Sequence, residues 1–475
     1  MNVAILVPYC KATFRPTTFD ALKTRFLRGR MFPLKSIVAG VIVSILSATS
    51  VAAGVFNPQT ITLKNGMQVV VVENHRVPVV THMVWYRVGS ADEGPGETGI
   101  AHFLEHLMFK GTKKRKPGEF SAIVARNGGQ ENAFTSTDHT AYYQTLAVDR
   151  LELVMEMEAD RMTNLVITDK EVEPERQVVL EERRSRVDNN PGSILSEHVS
   201  GALFLNHPYR NPVIGWEHDI RALDIKRILA FYKRWYAPNN AILVVAGDIT
   251  MEKLKPLAEK YYGAIPAQPP VTRNRAKEPP QKAERRVVLR DKRVRQASWQ
   301  RSFLAPGLQW GAKQHAYPLE VLSDIIGGGA SGRLYRHLVI EKKLAVSAGA
   351  FYSGDDRGPG RFVFSASPRT GVSMEALEKP METEIAEIIT AGVTIDEVSR
   401  AIERMQAEAV FARDSLSGGA RSVGGALAAG LGIDDVESWP ERIAAVPPDQ
   451  IQAAAKAVFD TNRSVTGMLL PKKGS

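Results

Sequence analysis

The alternation of hydrophobic and polar positions divides the chain into short strands and amphipathic helices. Gln59 to Glu73 contains two β-rich runs around Asn65-Gly66, which predicts a hairpin. Val79 to Val88 predicts a third strand and runs into a glycine-rich loop. From Thr98 to Lys110, Ile100, Phe103, Leu104, Leu107 and Met108 recur at helical spacing, and Gly111 stands where a helix usually stops. Asn127 to Leu146 reads as a turn followed by a pair of strands. Arg150 to Leu165 is an acidic amphipathic helix. Glu173 to Arg184 is a charged helix, entered through Pro174 in its first turn, where proline is tolerated. One amphipathic helix from Ile220 to Tyr236 precedes a buried-type strand at Ala241 to Asp248.

Residues 266–284 break this rhythm. Pro266, Pro269, Pro270, Pro279 and Pro280 lie among Arg and Lys, a composition that predicts an extended, solvated connector. Beyond it the pattern resumes in similar outline. Strands run from Arg286 to Leu304, a helix from Ala316 to Ile326, a strand near Phe362 to Ala366, and helices over 373–391 and 395–411. The expected fold class is α+β: two alike halves, each an antiparallel sheet packed with helices, over residues 57–265 and 285–475.

Composition changes this picture mainly at the start. Lys35, the apolar run Ile37 to Leu46 and the small residues Val51-Ala52-Ala53 form a secretory-type signal, so residues 1–53 read as a targeting segment. The apolar run is too short for a membrane span. That segment holds 7 of the 61 Lys and Arg and 1 of the 52 Asp and Glu. Residues 54–475 therefore carry 54 basic and 51 acidic residues, a formal charge of +3 in place of +9. The excess positive charge belongs to the leader, and nucleic acid is not an implied partner. The single cysteine, Cys10, lies there too. The 422 residues that remain have no thiol, which suits a secreted or periplasmic location.

The candidate chemistry is His102-Phe-Leu-Glu-His106. Positions i, i+3 and i+4 fall on one helix face, so two imidazoles and a carboxylate converge. Neutral imidazole is a good zinc ligand, and a carboxylate outside the ligand set can take a proton from water. With 10 His in 475 residues, such a pattern arises by chance roughly once in a hundred chains of this kind. A third ligand is required, and Glu175 and Glu182 share one face of the helix at 173–184. His75, His82, His139, His198, His207, His218, His315 and His337 are scattered without ligand spacing.

The inverted motif His-x-x-Glu-His, Glu182 lying 76 positions after His106, and Glu175 seven before it resemble the pitrilysin-like (M16) zinc metallopeptidases. Within that family the chain is similar to a bacterial zinc-bearing subunit of the mitochondrial processing peptidase beta type. The resemblance implies one Zn2+ per chain, held by His102, His106 and Glu182. It implies Glu105 as the base, with Glu175 as an auxiliary acid. Asn132 and Ala133 match a strand whose exposed edge holds the substrate backbone, and Gly327, Gly328 and Gly329 match a glycine-rich loop that guides substrate.

Active second halves in the family carry an Arg and, seven residues on, a Tyr; the matching positions here are Val339 and Val346. The implied partner is a second M16-like subunit that supplies the pair, or another copy of this chain. If the register is shifted, Tyr335 or Tyr352 with Arg333 or Arg336 serves instead. The expected function is zinc-dependent hydrolysis of peptides or unfolded segments. The alternative is a non-catalytic assembly subunit.

Overall fold

The computed structural model describes residues 54–472, and the expected targeting segment, residues 1–53, lies outside them. Strands β1 (Gln59–Thr62) and β2 (Gln68–Glu73) pair antiparallel, with Thr62 opposite Gln68. Gly66 makes the turn at φ +86°, a conformation glycine adopts without a Cβ clash. Strands β3 (Val79–Tyr86), β4 (Gln130–Thr135), β5 (Thr140–Ala147) and β6 (Ala241–Gly247) complete a six-stranded sheet in the order β1-β2-β6-β3-β5-β4. β6 runs parallel to β2 and antiparallel to β3, and all seven of its residues are buried. Its unbroken apolar run follows from having both faces covered.

Eight helices accompany this sheet: α1 (Ile100–Leu107), α2 (Glu119–Arg126), α3 (Leu151–Asn164), α4 (Asp169–Arg183), α5 (Pro191–Leu203), α6 (Glu217–Ala222), α7 (Ile225–Trp235) and α8 (Met251–Tyr261). Two expectations need correction. α4 begins at Asp169, where Thr168 and Glu171 form a reciprocal cap, so Pro174 lies inside the helix and not in its first turn. The helix expected over 220–236 is two helices. Leu223 is extended, and the Asp224 side chain accepts from the Arg227 N–H at 2.8 Å, which starts a new helix.

The second half contains β7 (Arg285–Asp291), β8 (Ser298–Ala305), α9 (Ala316–Gly327), β9 (Ala345–Ser353), β10 (Gly360–Pro368), α10 (Met374–Ala391), α11 (Ile395–Ala412), α12 (Gly418–Ala429) and β11 (Ser464–Pro471). Its sheet runs β7-β11-β8-β10-β9, with β7 and β11 parallel. This is the order β2-β6-β3-β5-β4 again, with the parallel pair in the same place. Edge strand β9 therefore corresponds to edge strand β4, and α9 to α1.

Each half lends a helix to the other. One face of the first sheet buries Val70, Met83, Trp85 and Val244 against Ala420, Val423 and Leu427 of α12. One face of the second sheet buries Val465 and Leu469 against Leu195, Val199 and Leu203 of α5. Close approach explains Gly424 of α12: a Cβ there would lie 2.2 Å from Nε1 of Trp85. Residues 266–282 have neither helix nor strand, yet they are not a free connector. Arg275 makes bonds of 2.9 and 3.0 Å to Asp92 and also pairs with Asp138, while Arg273 lies over the Trp235 ring. These two arginines strap the segment to the first half, while most of it stays exposed.

Candidate metal centre

The position of α1 is set by its N-terminus. Glu93 accepts from the N–H groups of Gly99 and Ala101 at 2.9 and 3.0 Å, satisfying donors that the helix cannot. The Thr98 hydroxyl donates to Asp219 at 2.6 Å. Gly99, at φ +88°, lies so close to Gly215 that a Cβ would stand 2.6 Å from the Ile214 carbonyl oxygen. Ile100, Phe103, Leu104 and Leu107 are buried in the first core, which turns the opposite face toward α4.

On that face the His102 and His106 rings lie 4.8 Å apart. Nε2 of His102 is 3.7 Å, and Nε2 of His106 is 3.2 Å, from Oε2 of Glu182. One donor atom from each residue falls within 4.8 Å of the others. A tetrahedral zinc ion with bonds of about 2.1 Å separates its donors by about 3.4 Å. The two measured spacings bracket that edge, and among the described residues the cluster has three donors, which leaves a position open. The donor set therefore fits zinc.

Glu175 lies one layer behind. Its Oε1 is 2.9 Å from Nδ1 of His106, and Lys110 pairs with Oε2. This bond directs Nε2 of His106 toward Glu182. Arg186 Nη1 lies 2.6 Å from the other Glu182 oxygen, Oε1. Burial works against charging His106, but hydrogen bonds with Glu175 and Glu182 carry it up to about 9. Burial also opposes the Glu182 charge, yet the His106 hydrogen bond and the positive charges of His106 and Arg186 help hold it down at about 2. Burial, then the His106 charge, lowers His102 to about 4, so it is neutral, as a ligand must be. Burial raises Glu105 to about 7 against the Thr135 hydroxyl, which donates to it at 2.5 Å.

Lys110, Arg186 and Thr135 are the residues that sequence reasoning missed. Lys110 and Arg186 carried a signal, since each stands four positions after a candidate ligand and so shares its helix face. Thr135 carried none. Asn132 and Ala133 lie on β4 at the edge of the sheet, where Asn132 Oδ1 accepts from the Ala133 N–H at 2.8 Å. Gly327, Gly328 and Gly329 sit elsewhere, in the second half. A Cβ on Gly327 would lie 2.3 Å from the Ala350 oxygen of β9, and the loop takes no part in the ligand cluster. Val339 is buried in the second core, and Val346 is exposed near the start of β9. Arg333 is engaged by Glu397 at 2.7 Å, and the Tyr352 hydroxyl donates to the Pro306 carbonyl at 2.6 Å.

A repeated sheet-and-helix half with a three-donor centre on the first is the architecture of a metallopeptidase. The chain belongs to the M16 peptidase family. The family model described as "Insulinase (Peptidase family M16)" matches residues 68–217, and the one described as "Peptidase M16 inactive domain" matches residues 222–405. All three candidate ligands fall in the first match. The chain is 32% identical to the zinc protease PqqE of Helicobacter pylori, over 87% of this chain and 93% of that protein. It is 30% identical to an uncharacterised zinc protease of Streptomyces coelicolor, over 89% and 92%. The crystal structure of a protease from Helicobacter pylori superposes with a TM-score of 0.82 at 31% identity, covering 87% of this chain and 99% of that one.

Proposed function

We propose that this chain is a zinc-dependent endopeptidase acting on peptides or unfolded protein segments. The convergence of His102, His106 and Glu182 carries the reading, and the names of the zinc-protease relatives support it. His102, His106 and Glu182 would hold a zinc ion, which would supply Lewis acidity at the centre. Glu175 accepts from His106 and keeps its free nitrogen aimed at the centre. Glu105 takes a proton from the attacking water and returns it to the leaving amine, a role suited to a carboxyl raised to about 7. The free edge of β4, at Asn132 and Ala133, binds extended substrate backbone as an added strand, which favours unfolded chains.

Val339 and Val346 cannot donate side-chain hydrogen bonds; of the register-shifted alternatives, Arg333 and Tyr352 are engaged elsewhere, Tyr335 packs against the second core and Arg336 is exposed. A missing oxyanion donor commonly costs a factor of about 10² in rate. This supports a dimer in which a second M16-like subunit, or another copy of this chain, supplies those donors. The leader pattern and the thiol-free remainder support export to the periplasm or beyond. No helix among the described residues is long and apolar enough to cross a membrane.

The test is hydrolysis of a quenched unstructured peptide by residues 54–475, with Glu105→Gln as the control and zinc measured in both. Cleavage by wild type alone, with zinc in each, is the expected result for a self-sufficient peptidase. Zinc without cleavage directs the search to a co-purifying subunit. Zinc without cleavage even with that subunit added means a scaffold.

A further inference from the structure

Among the described residues, Thr135 is the only hydrogen-bond partner of the Glu105 side chain, and its hydroxyl donates to Oε2 at 2.5 Å. Thr135 closes β4, and strand alternation puts its side chain on the same sheet face as that of Ala133, which packs into the core beneath α1. Phe134 between them faces the other way and packs with the α12 side of the sheet. The hydroxyl has a second neighbour. Thr140, its cross-strand partner, is fully buried, donates to the Val88 carbonyl at 3.0 Å and approaches the Thr135 oxygen at 3.5 Å. With the Thr140 proton engaged by Val88, the much closer Glu105 oxygen is the acceptor for the Thr135 hydroxyl.

The element that carries Thr135 is held on several sides. Ser90 and Ala91 N–H groups donate to the Ser136 and Thr137 carbonyls at 3.0 and 2.9 Å. Buried Asp138 accepts from the Tyr209 hydroxyl at 2.5 Å and from the Arg357 N–H at 2.9 Å, which ties the hairpin to the second half. A glutamate has three side-chain torsions, and fixing them costs rotamer freedom. Among the described residues no other hydrogen bond restrains this one.

We propose that Thr135 is a positioning residue: its hydroxyl holds Oε2 of Glu105 so that Oε1 alone faces the reacting water. The proposal rests on reading Glu105 as the base. Because the strand that seats the substrate backbone also carries Thr135, the base and the substrate share one rigid frame.

The experiment compares wild type, Thr135→Val and Thr135→Ser for kcat, KM and zinc content, and determines crystal structures of the metal-free wild type and Thr135→Val. The valine variant keeps the shape and strand preference of threonine and loses only the donor. It is expected to lose about 10- to 100-fold in kcat, with KM and zinc content unchanged. Serine is expected to restore kcat to within a few-fold. In the crystals, the Glu105 carboxylate is expected to leave its wild-type rotamer or lose order in the valine variant. An unchanged kcat, a loss confined to KM, or a Glu105 that stays in place without the hydroxyl would each overturn the proposal. If Glu105→Gln cleaves as fast as wild type, the base reading fails, and the crystallographic comparison alone decides whether Thr135 fixes this side chain.

Discussion

His106 Nδ1 and Glu175 Oε1 stand 2.9 Å apart across the contact between α1 and α4. That bond makes one helix the support of a ligand on the other. Glu175→Gln keeps the shape and weakens the acceptor, so zinc affinity is expected to fall by about 10- to 100-fold, with the folded structure retained. Competition against a chromogenic chelator measures this, and an unchanged affinity would show that Glu175 does not orient the ligand.

Zinc is expected to stabilise the chain, because its ligands come from two helices. With free zinc at 100 times its dissociation constant the gain is about 2.7 kcal/mol. Chelation should lower the melting temperature of wild type and leave that of Glu182→Gln almost unmoved. Equal shifts in both proteins would place the stabilising metal elsewhere.

Two helix glycines should respond oppositely to alanine. A Cβ on Gly424 would lie 2.2 Å from Trp85, whereas nothing stands within 4 Å of one on Gly201. Gly424→Ala should destabilise by about 1–3 kcal/mol through overpacking. Gly201→Ala should stabilise by roughly 0.5–1 kcal/mol through helix propensity. Urea unfolding of the two variants reads both signs.

Asp356, between β9 and β10, is pushed up to about 7 by burial and then by the charges of Asp138 and Asp355. Unfolded, it titrates near 4. The folded state thus holds a proton that the unfolded state has released, and stability falls as pH rises from about 4 to about 7. Asp356→Asn removes that loss, so it should raise the melting temperature more at pH 8 than at pH 5. Equal effects at both would show an ordinary carboxyl.

The exchange of α5 and α12 predicts that neither half is stable alone. Residues 54–265 would expose Val70, Trp85 and Val244 on one side and the apolar face of α5 on the other. Such patches drive aggregation. Expressed separately the halves should be insoluble, and co-expressed they should be recovered together; a soluble, folded first half by itself would contradict this.

Much of the fold was legible because periodicity is local. The hairpin at Asn65-Gly66, the apolar run of β6 and the stripe of α1 each depend on residues within one or two turns. The helix breaks were harder to read. At Asp224 a single cap overrode a continuous amphipathic pattern, and at Thr168 a reciprocal cap started α4 a turn before the proline. The connector over 266–284 is extended and largely exposed as expected, but its composition gave no sign that Arg275 would pair with Asp92 and Asp138.

By itself the sequence determined which residues could bind a metal. Helical spacing brings His102, Glu105 and His106 to one face, and Glu175 and Glu182 to another, whatever surrounds them. Only the tertiary structure decided that those two faces meet, that Glu175 supports His106 and that Thr135 reaches Glu105. It alone also decided that each half is completed by a helix from the other. These are contacts between segments tens to hundreds of residues apart, and burial of complementary faces selects them, which no local periodicity encodes.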